Sequence, residues 1–237
     1  MPIKCYKIIF LLLFICQPSY AEQSVVVVLH GIARSSSHME PLVEVLTHNG
    51  YKVVNVDYPS TDYTMSQLVD IIYDDIKTDI SQAPKVHFIG YSMGGIMVRG
   101  VLHKYRMDNI GRVIQLAAPN GGSEVADAVH DNPVYQAIYG PAGQELTTTS
   151  SQHIKELVGD HCYYELGVIA GNSSIDPVSS LIIPGDDDGK VAVLRTHVEG
   201  MKDHIVVAAS HTFFPSNQVV HQQVLHFLEF GKFDKAH

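Results

Sequence analysis

The stretch VHFIGYSMGGIMVRG, residues 86–100, runs through strand-like residues into a glycine, places a serine two positions on, and returns to apolar residues at helical spacing. Gly90, Ser92 and Gly94 satisfy G-x-S-x-G, a pattern short enough to arise by chance. Ser92 is therefore either a nucleophile or a small polar residue in a tight turn. The flanks favour the first reading. A strand-like run (85–90) leads in, and Ile96, Met97, Val101 and Leu102 lead out as a helix. A strand that turns at once into a helix strains the residue at its apex. It needs small neighbours where the backbones approach. Such a turn stands the Ser92 hydroxyl at the carboxyl end of a sheet, where open α/β folds take their ligands.

Working outward, strand-like and helix-like runs alternate. Strands are expected at 24–31, 51–59, 85–90, 112–119, 165–171 and 204–210. Their apolar residues are continuous, as in strands buried on both faces. Between them, Ser37 and Glu40 read as a capping box opening a helix that ends at Gly50. Leu68, Ile72 and Ile76 mark one face of a helix over 65–80. Further helices are expected just after Ser92, over about 123–138 with Ser123 as its cap, and over 218–230. The alternation implies an α/β fold with a mostly parallel sheet of about six strands and helices on both faces. Segment 131–164 is the least regular and reads as a small cap or an insertion on one domain, 22–237.

The chain has 237 residues, of which 46% are hydrophobic, and a formal charge of −9. That composition fits one globular domain, and the charge makes nucleic acid a poor partner. At the N-terminus, Lys4 and Lys7 precede an apolar run from Ile8 to Cys16, followed by small residues at Ser19 and Ala21. This reads as a secretory signal peptide over 1–21, cut after Ala21, which points to a periplasmic or secreted protein. Nine apolar residues are too few to span a membrane, which needs roughly 20; an uncleaved tether is the alternative. Cleavage removes two lysines and no acid, so the charge falls from −9 to −11. It also removes Cys5 and Cys16. Cys162 is then alone, without an intramolecular partner, and reads as a small buried hydrophobe.

Four segments in order, VVLHGIARSSSHM, FIGYSMGGIMVRG, LAAPNGGSEVAD and GDDDGKVAV…SHTFF, resemble the α/β-hydrolase superfamily, specifically compact bacterial lipases and esterases. The likeness covers about residues 24–230. It implies a serine hydrolase acting on carboxylic esters, with no metal or organic cofactor, and a small-molecule or lipid ester as its partner, met through transient contact with a membrane surface. The chemistry asks for the same parts. A serine needs a base, and the base needs an acid to orient it. The resemblance places the base at His211, in the loop before the last helix. His204 is the nearest competitor, but it opens the preceding strand at the other end of the sheet. His221 and His226 read as surface or boundary residues of the last helix. The family's acid directly precedes the glycine of a D-G-x-V segment, which selects Asp188, with Asp187 next. Asp186 and its neighbour then form a solvated turn; the spaced ligands of a calcium loop are missing. An oxyanion hole needs backbone N–H groups, expected from Met93 and from Ile32, with His30 and Gly31 shaping the latter's loop. The turn Pro119–Gly122 is expected at the rim of the site. An acyltransferase, a thioesterase or amidase, and a binding module without catalysis are the rival readings.

Overall fold

A computed structural model describes residues 24–236. The expected signal peptide lies outside the described residues. Six strands, β1 (Val25–Leu29), β2 (Lys52–Val56), β3 (Val86–Tyr91), β4 (Ile110–Leu116), β5 (Glu165–Gly171) and β6 (Asp203–Val207), form one parallel sheet in the order β2-β1-β3-β4-β5-β6. Among the described residues the α-helices are α1 (Glu40–His48), α2 (Met65–Ser81), α3 (Met93–Lys104), α4 (Glu124–Val129), α5 (Pro133–Gln144), α6 (Ser151–Val158), α7 (Pro177–Ser180) and α8 (Gln218–Phe230).

The continuous apolar strands are explained by two cores. Side chains alternate along a strand, so Val25, Val27 and Leu29 join one core with α2, α3 and α6, while Val26 and Val28 join the other with α1 and α8. β3 divides in the same way, with Val86 and Phe88 on the first side and Ile89 and Tyr91 on the second. Because β2 and β3 flank β1 on opposite sides, the strand order reverses between β1 and β3. A crevice opens there at the carboxyl ends of the strands, and the loops after β1 and β3 carry Ile32 and Ser92.

Four local expectations are corrected. The Ser37–Glu40 capping box does not form. Pro41 has no N–H to donate and sits in the first turn of α1, which puts the helix start at Glu40. Ser37 is left in a preceding 3-10 turn, with its hydroxyl bonded to that of Ser35 at 2.7 Å. A capping box is present at α2 instead, between Thr64 and Gln67. The helix expected over 123–138 is two helices. Pro133 disfavours helical backbone at Asn132, and Asn132 starts α5 by accepting the N–H of Val134 at 2.8 Å. Ser123 precedes α4 but does not cap it with its side chain; its hydroxyl donates to the Lys190 carbonyl at 2.7 Å. His221 is buried rather than superficial, bonded to the Pro215 carbonyl at 2.7 Å.

Segment 131–164 divides. α5 overhangs the crevice and bends at Gly140–Pro141, where Gly140 takes φ 58°. α6 packs on α3 and joins the first core through Ile154 and Val158. Cys162 is half-buried against the same core. Among the described residues, no helix is long and apolar enough to cross a membrane.

Candidate active site

Ser92 sits between β3 and α3 at φ 54°, ψ −128°, a left-handed conformation that side chains rarely adopt. Its N–H is tied to the Leu116 carbonyl at 2.8 Å, and its carbonyl accepts the Gly95 N–H at 2.9 Å. The glycines on either side are steric requirements. A methyl group at Gly90 would lie 2.5 Å from the Gly95 Cα. One at Gly94 would lie 2.6 Å from the Leu29 carbonyl oxygen and closer still to that of His30. The turn is tight because a strand and a helix meet there without a linker.

Two further segments converge on this turn. The Ser92 hydroxyl donates to His211 Nε2 at 3.0 Å, and His211 Nδ1 donates to Asp188 Oδ2 at 2.7 Å. A carboxylate can only accept, which sets the proton on Nδ1 and leaves Nε2 free to take one from Ser92. Asp188 is buried, and its other oxygen accepts the N–H groups of Lys190 at 3.0 Å and Val191 at 2.8 Å. The His211 N–H donates in turn to the Asp188 carbonyl at 2.9 Å. Asp187 does not reach the histidine. Its carboxylate accepts the Ser180 hydroxyl at 2.8 Å and the Gly189 N–H at 2.7 Å, closing the turn that aims Asp188. His204 lies near the start of β6, stacked on His197 and 3.0 Å from the Thr196 hydroxyl, away from Ser92.

The loop after β1 packs against Ser92. A methyl group at Gly31 would touch the Ser92 Cβ at 3.1 Å. His30 is fully buried, stacked on Tyr58, and accepts the Tyr58 N–H at 3.3 Å. Its other ring nitrogen bonds the Gly31 carbonyl at 2.8 Å. Burial holds its pKa below the ordinary value, so His30 is a neutral brace for the loop. Among the described residues the Ile32 N–H has no protein acceptor, and Met93, as the first residue of α3, has none within its helix. Both therefore offer donors beside Ser92, and the α3 terminus adds its partial positive charge.

A cavity of about 460 Å³ opens beside Ser92 and His211. Pro119 and Ser123 are among the residues that line it. α4 and α5 give it an apolar wall through Val125, Val129, Val134, Ile138 and Tyr139.

Sequence reasoning missed two supports. Tyr91 is buried and donates its hydroxyl to the His211 carbonyl at 2.8 Å, with its ring centroid 5.2 Å from the imidazole. Burial pushes its own pKa well up, so it stays a donor. Strand alternation carried that signal, because Tyr91 shares a face with Ile89, towards α8. The second is a polar network in which Gln115 donates to the Gly95 carbonyl at 2.8 Å and to Asn120 at 3.0 Å, while Arg99 donates to Asn120 at 2.9 Å. It ties the first turn of α3 to the loop after β4. α5 falls within segment 131–164, which the sequence reads as a small cap or an insertion, and its Tyr135, Ile138 and Tyr139 line the cavity.

The sequence profile of the palmitoyl protein thioesterase family matches residues 25–165, more than half of the chain. The chain belongs to this family. The match covers Ser92 and the Ile32 loop and stops before Asp188 and His211. No curated protein sequence matches the chain. Among solved structures, the mature lipase BlEst2 of Bacillus licheniformis superposes with a TM-score of 0.69 at 21% identity, over 89% of this chain and 93% of that one. A metagenomic carboxyl esterase gives 0.64 at 17% identity, over 81% and 65% of the two chains. The monoacylglycerol lipase of Paleococcus ferrophilus gives 0.59 at 16%, over 87% and 94%. At these identities the likeness establishes the α/β-hydrolase fold that the family member adopts.

Proposed function

We propose that the protein is a serine hydrolase that cleaves carboxylic acyl esters through an acyl-enzyme. The observation that carries this is the continuous chain from Ser92 through His211 to a buried Asp188, beside an apolar cavity. Ser92 Oγ attacks the acyl carbon while His211 Nε2 takes its proton. The carbonyl oxygen becomes an alkoxide, held by the Ile32 and Met93 N–H groups. As the tetrahedral species collapses, the bond to the leaving oxygen breaks and His211 returns the proton to it. Water, deprotonated by His211, then attacks the acyl-enzyme, and the released acid leaves Ser92 protonated again. Asp188 orients the imidazole and stabilises its charged form throughout. The acyl chain lies along the α4–α5 wall, in a volume within the usual range for small-molecule sites.

Membership of a thioesterase family supports a second substrate class, acyl thioesters, on which the same steps operate with sulfur as the leaving atom. Val134 and Ile138 stand more than half exposed at the cavity, which supports transient contact with a lipid surface. Export through a cleaved signal peptide at 1–21 belongs to the same proposal; N-terminal sequencing of the mature chain tests it.

A fluorophosphonate probe is expected to label Ser92, and Ser92→Ala to lower hydrolysis of p-nitrophenyl esters by about 10⁴-fold or more. Unchanged hydrolysis in that variant sinks the proposal. Rates across acyl lengths define the chain preference, and product analysis with an added acceptor alcohol separates a hydrolase from an acyltransferase.

A further inference from the structure

The cavity beside Ser92 has two chemically different sides. The α4–α5 side is apolar. The loop after β1 contributes Arg34, an exposed arginine lining the same cavity. Arg34 has no carboxylate within ion-pair distance among the described residues. Its one side-chain hydrogen bond runs to the neighbouring Ala33 carbonyl at 3.2 Å. Lys190, the other cation lining the cavity, is already paired with Asp176 at 2.8 Å. In a chain with 25 acidic and 16 basic residues, Arg34 stands at this cavity without a counter-ion. The backbone that carries it is held: Ala33 is fixed at φ 52°, with its N–H on the Ser60 hydroxyl at 3.1 Å.

The neighbours of Arg34 place it relative to the reacting atoms. His38 stands in the 3-10 turn Ser36–Met39 that follows Arg34, and that turn packs on the one His211 opens, His211–Ser216. The Tyr91 ring lies 5.4 Å from the His38 ring and 5.2 Å from that of His211. Arg34 therefore belongs to the His211 side of Ser92. In acyl transfer the leaving group departs towards the acid that protonates it, here His211. The leaving part of the substrate and Arg34 share one side, and the acyl chain and α4–α5 share the other.

We infer that Arg34 recognises an anionic group, a carboxylate or a phosphate, on the alcohol or thiol part of the substrate. A guanidinium meets either oxyanion with two parallel hydrogen bonds. This assignment rests on the serine-hydrolase reading of Ser92 and names the substrate class of that site.

Two substrate pairs with a common butyryl group test it. One is 4-nitrophenyl butyrate against 3-carboxy-4-nitrophenyl butyrate. The other is 1-butyrylglycerol against its 3-phosphate. The reading is the kcat/KM ratio of charged over neutral ester, in the full chain and in Arg34→Ala and Arg34→Lys. The ratio in at least one pair is expected to fall about tenfold in Arg34→Ala and less in Arg34→Lys. The wild-type ratio in that pair should also decline with added salt. The pair that responds tells a carboxylate from a phosphate. Unchanged ratios in both pairs overturn the inference, while turnover of the neutral esters keeps the reading of Ser92 standing. A wild-type protein that cleaves none of the four overturns both.

Discussion

Asparagine at position 188 keeps the shape of the acid and reverses one hydrogen bond. Asp188 Oδ1 accepts two backbone N–H groups, from Lys190 at 3.0 Å and Val191 at 2.8 Å, while Oδ2 accepts from His211 at 2.7 Å. In Asp188→Asn the amide has a single oxygen, and it must face the two backbone donors, because an NH₂ group there would meet N–H against N–H. The NH₂ then faces His211 Nδ1, which has to accept. The imidazole proton moves to Nε2, and Nε2 can no longer take a proton from Ser92 at 3.0 Å. The backbone bonds that close the 186–191 turn survive, so the fold should hold. Loss of the base, together with loss of the carboxylate that stabilises the imidazolium, is expected to lower kcat about 10³–10⁴-fold, or about 4–5 kcal/mol. The assay is p-nitrophenyl butyrate hydrolysis at saturation, with the thermal midpoint recorded beside it. Asp187→Asn is the companion, since Asp187 touches Ser180 and Gly189 but not His211; its kcat should stay within about tenfold of wild type. A tenth or more of wild-type kcat in Asp188→Asn, or a collapse confined to Asp187→Asn, refutes the reasoning.

Gly94→Ala drives a methyl group into the Leu29 and His30 carbonyls and should cost about 3 kcal/mol, lowering the thermal midpoint by about 6–12 °C. Gly185→Ala, at a positive φ but with open space around it, should cost only about 1 kcal/mol by the same measurement. Tyr91→Phe leaves the His211 carbonyl without its donor at 2.8 Å and should lower stability by about 1–2 kcal/mol in urea titration, with a smaller loss of kcat than Asp188→Asn. His87 is held down to about 4, by burial first and then by the charges of Arg112 and Lys85. The unfolded chain therefore binds a proton that the folded chain refuses between about pH 6.5 and pH 4. Stability present above that window should fall by about 3 kcal/mol as pH drops through it. Thermal midpoints of His87→Gln should be flatter over the same window, and parallel curves would falsify the assignment.

How far the sequence reached depends on how local each cause is. The sheet was legible because β1 reads VVVVL, a short β-branched run that a strand covered on both faces buries at every residue. The serine turn was legible because Gly90 and Gly94 report close backbone approach within five residues of chain. Helix α8 was legible to its ends, since its signals lie inside it. Elsewhere a local rule met a stronger competitor. Pro41 moved the start of α1 past the Ser37 pattern, and Pro133 split one expected helix into α4 and α5.

The candidate site follows the same division. Sequence by itself determined the serine turn and the chemical types of its partners, because a glycine-flanked serine, an acid and a histidine each carry their chemistry wherever they stand. Which acid meets His211 was decided only by tertiary structure. Asp186, Asp187 and Asp188 are chemically identical, and the bonds to Lys190, Val191, Ser180 and Gly189 turn one towards the histidine and the next one away. Tyr91 behind His211, α5 over the cavity and Arg34 beside it are likewise tertiary facts. Each depends on two segments far apart in sequence meeting at the carboxyl edge of one sheet, and no residue records locally what folds against it.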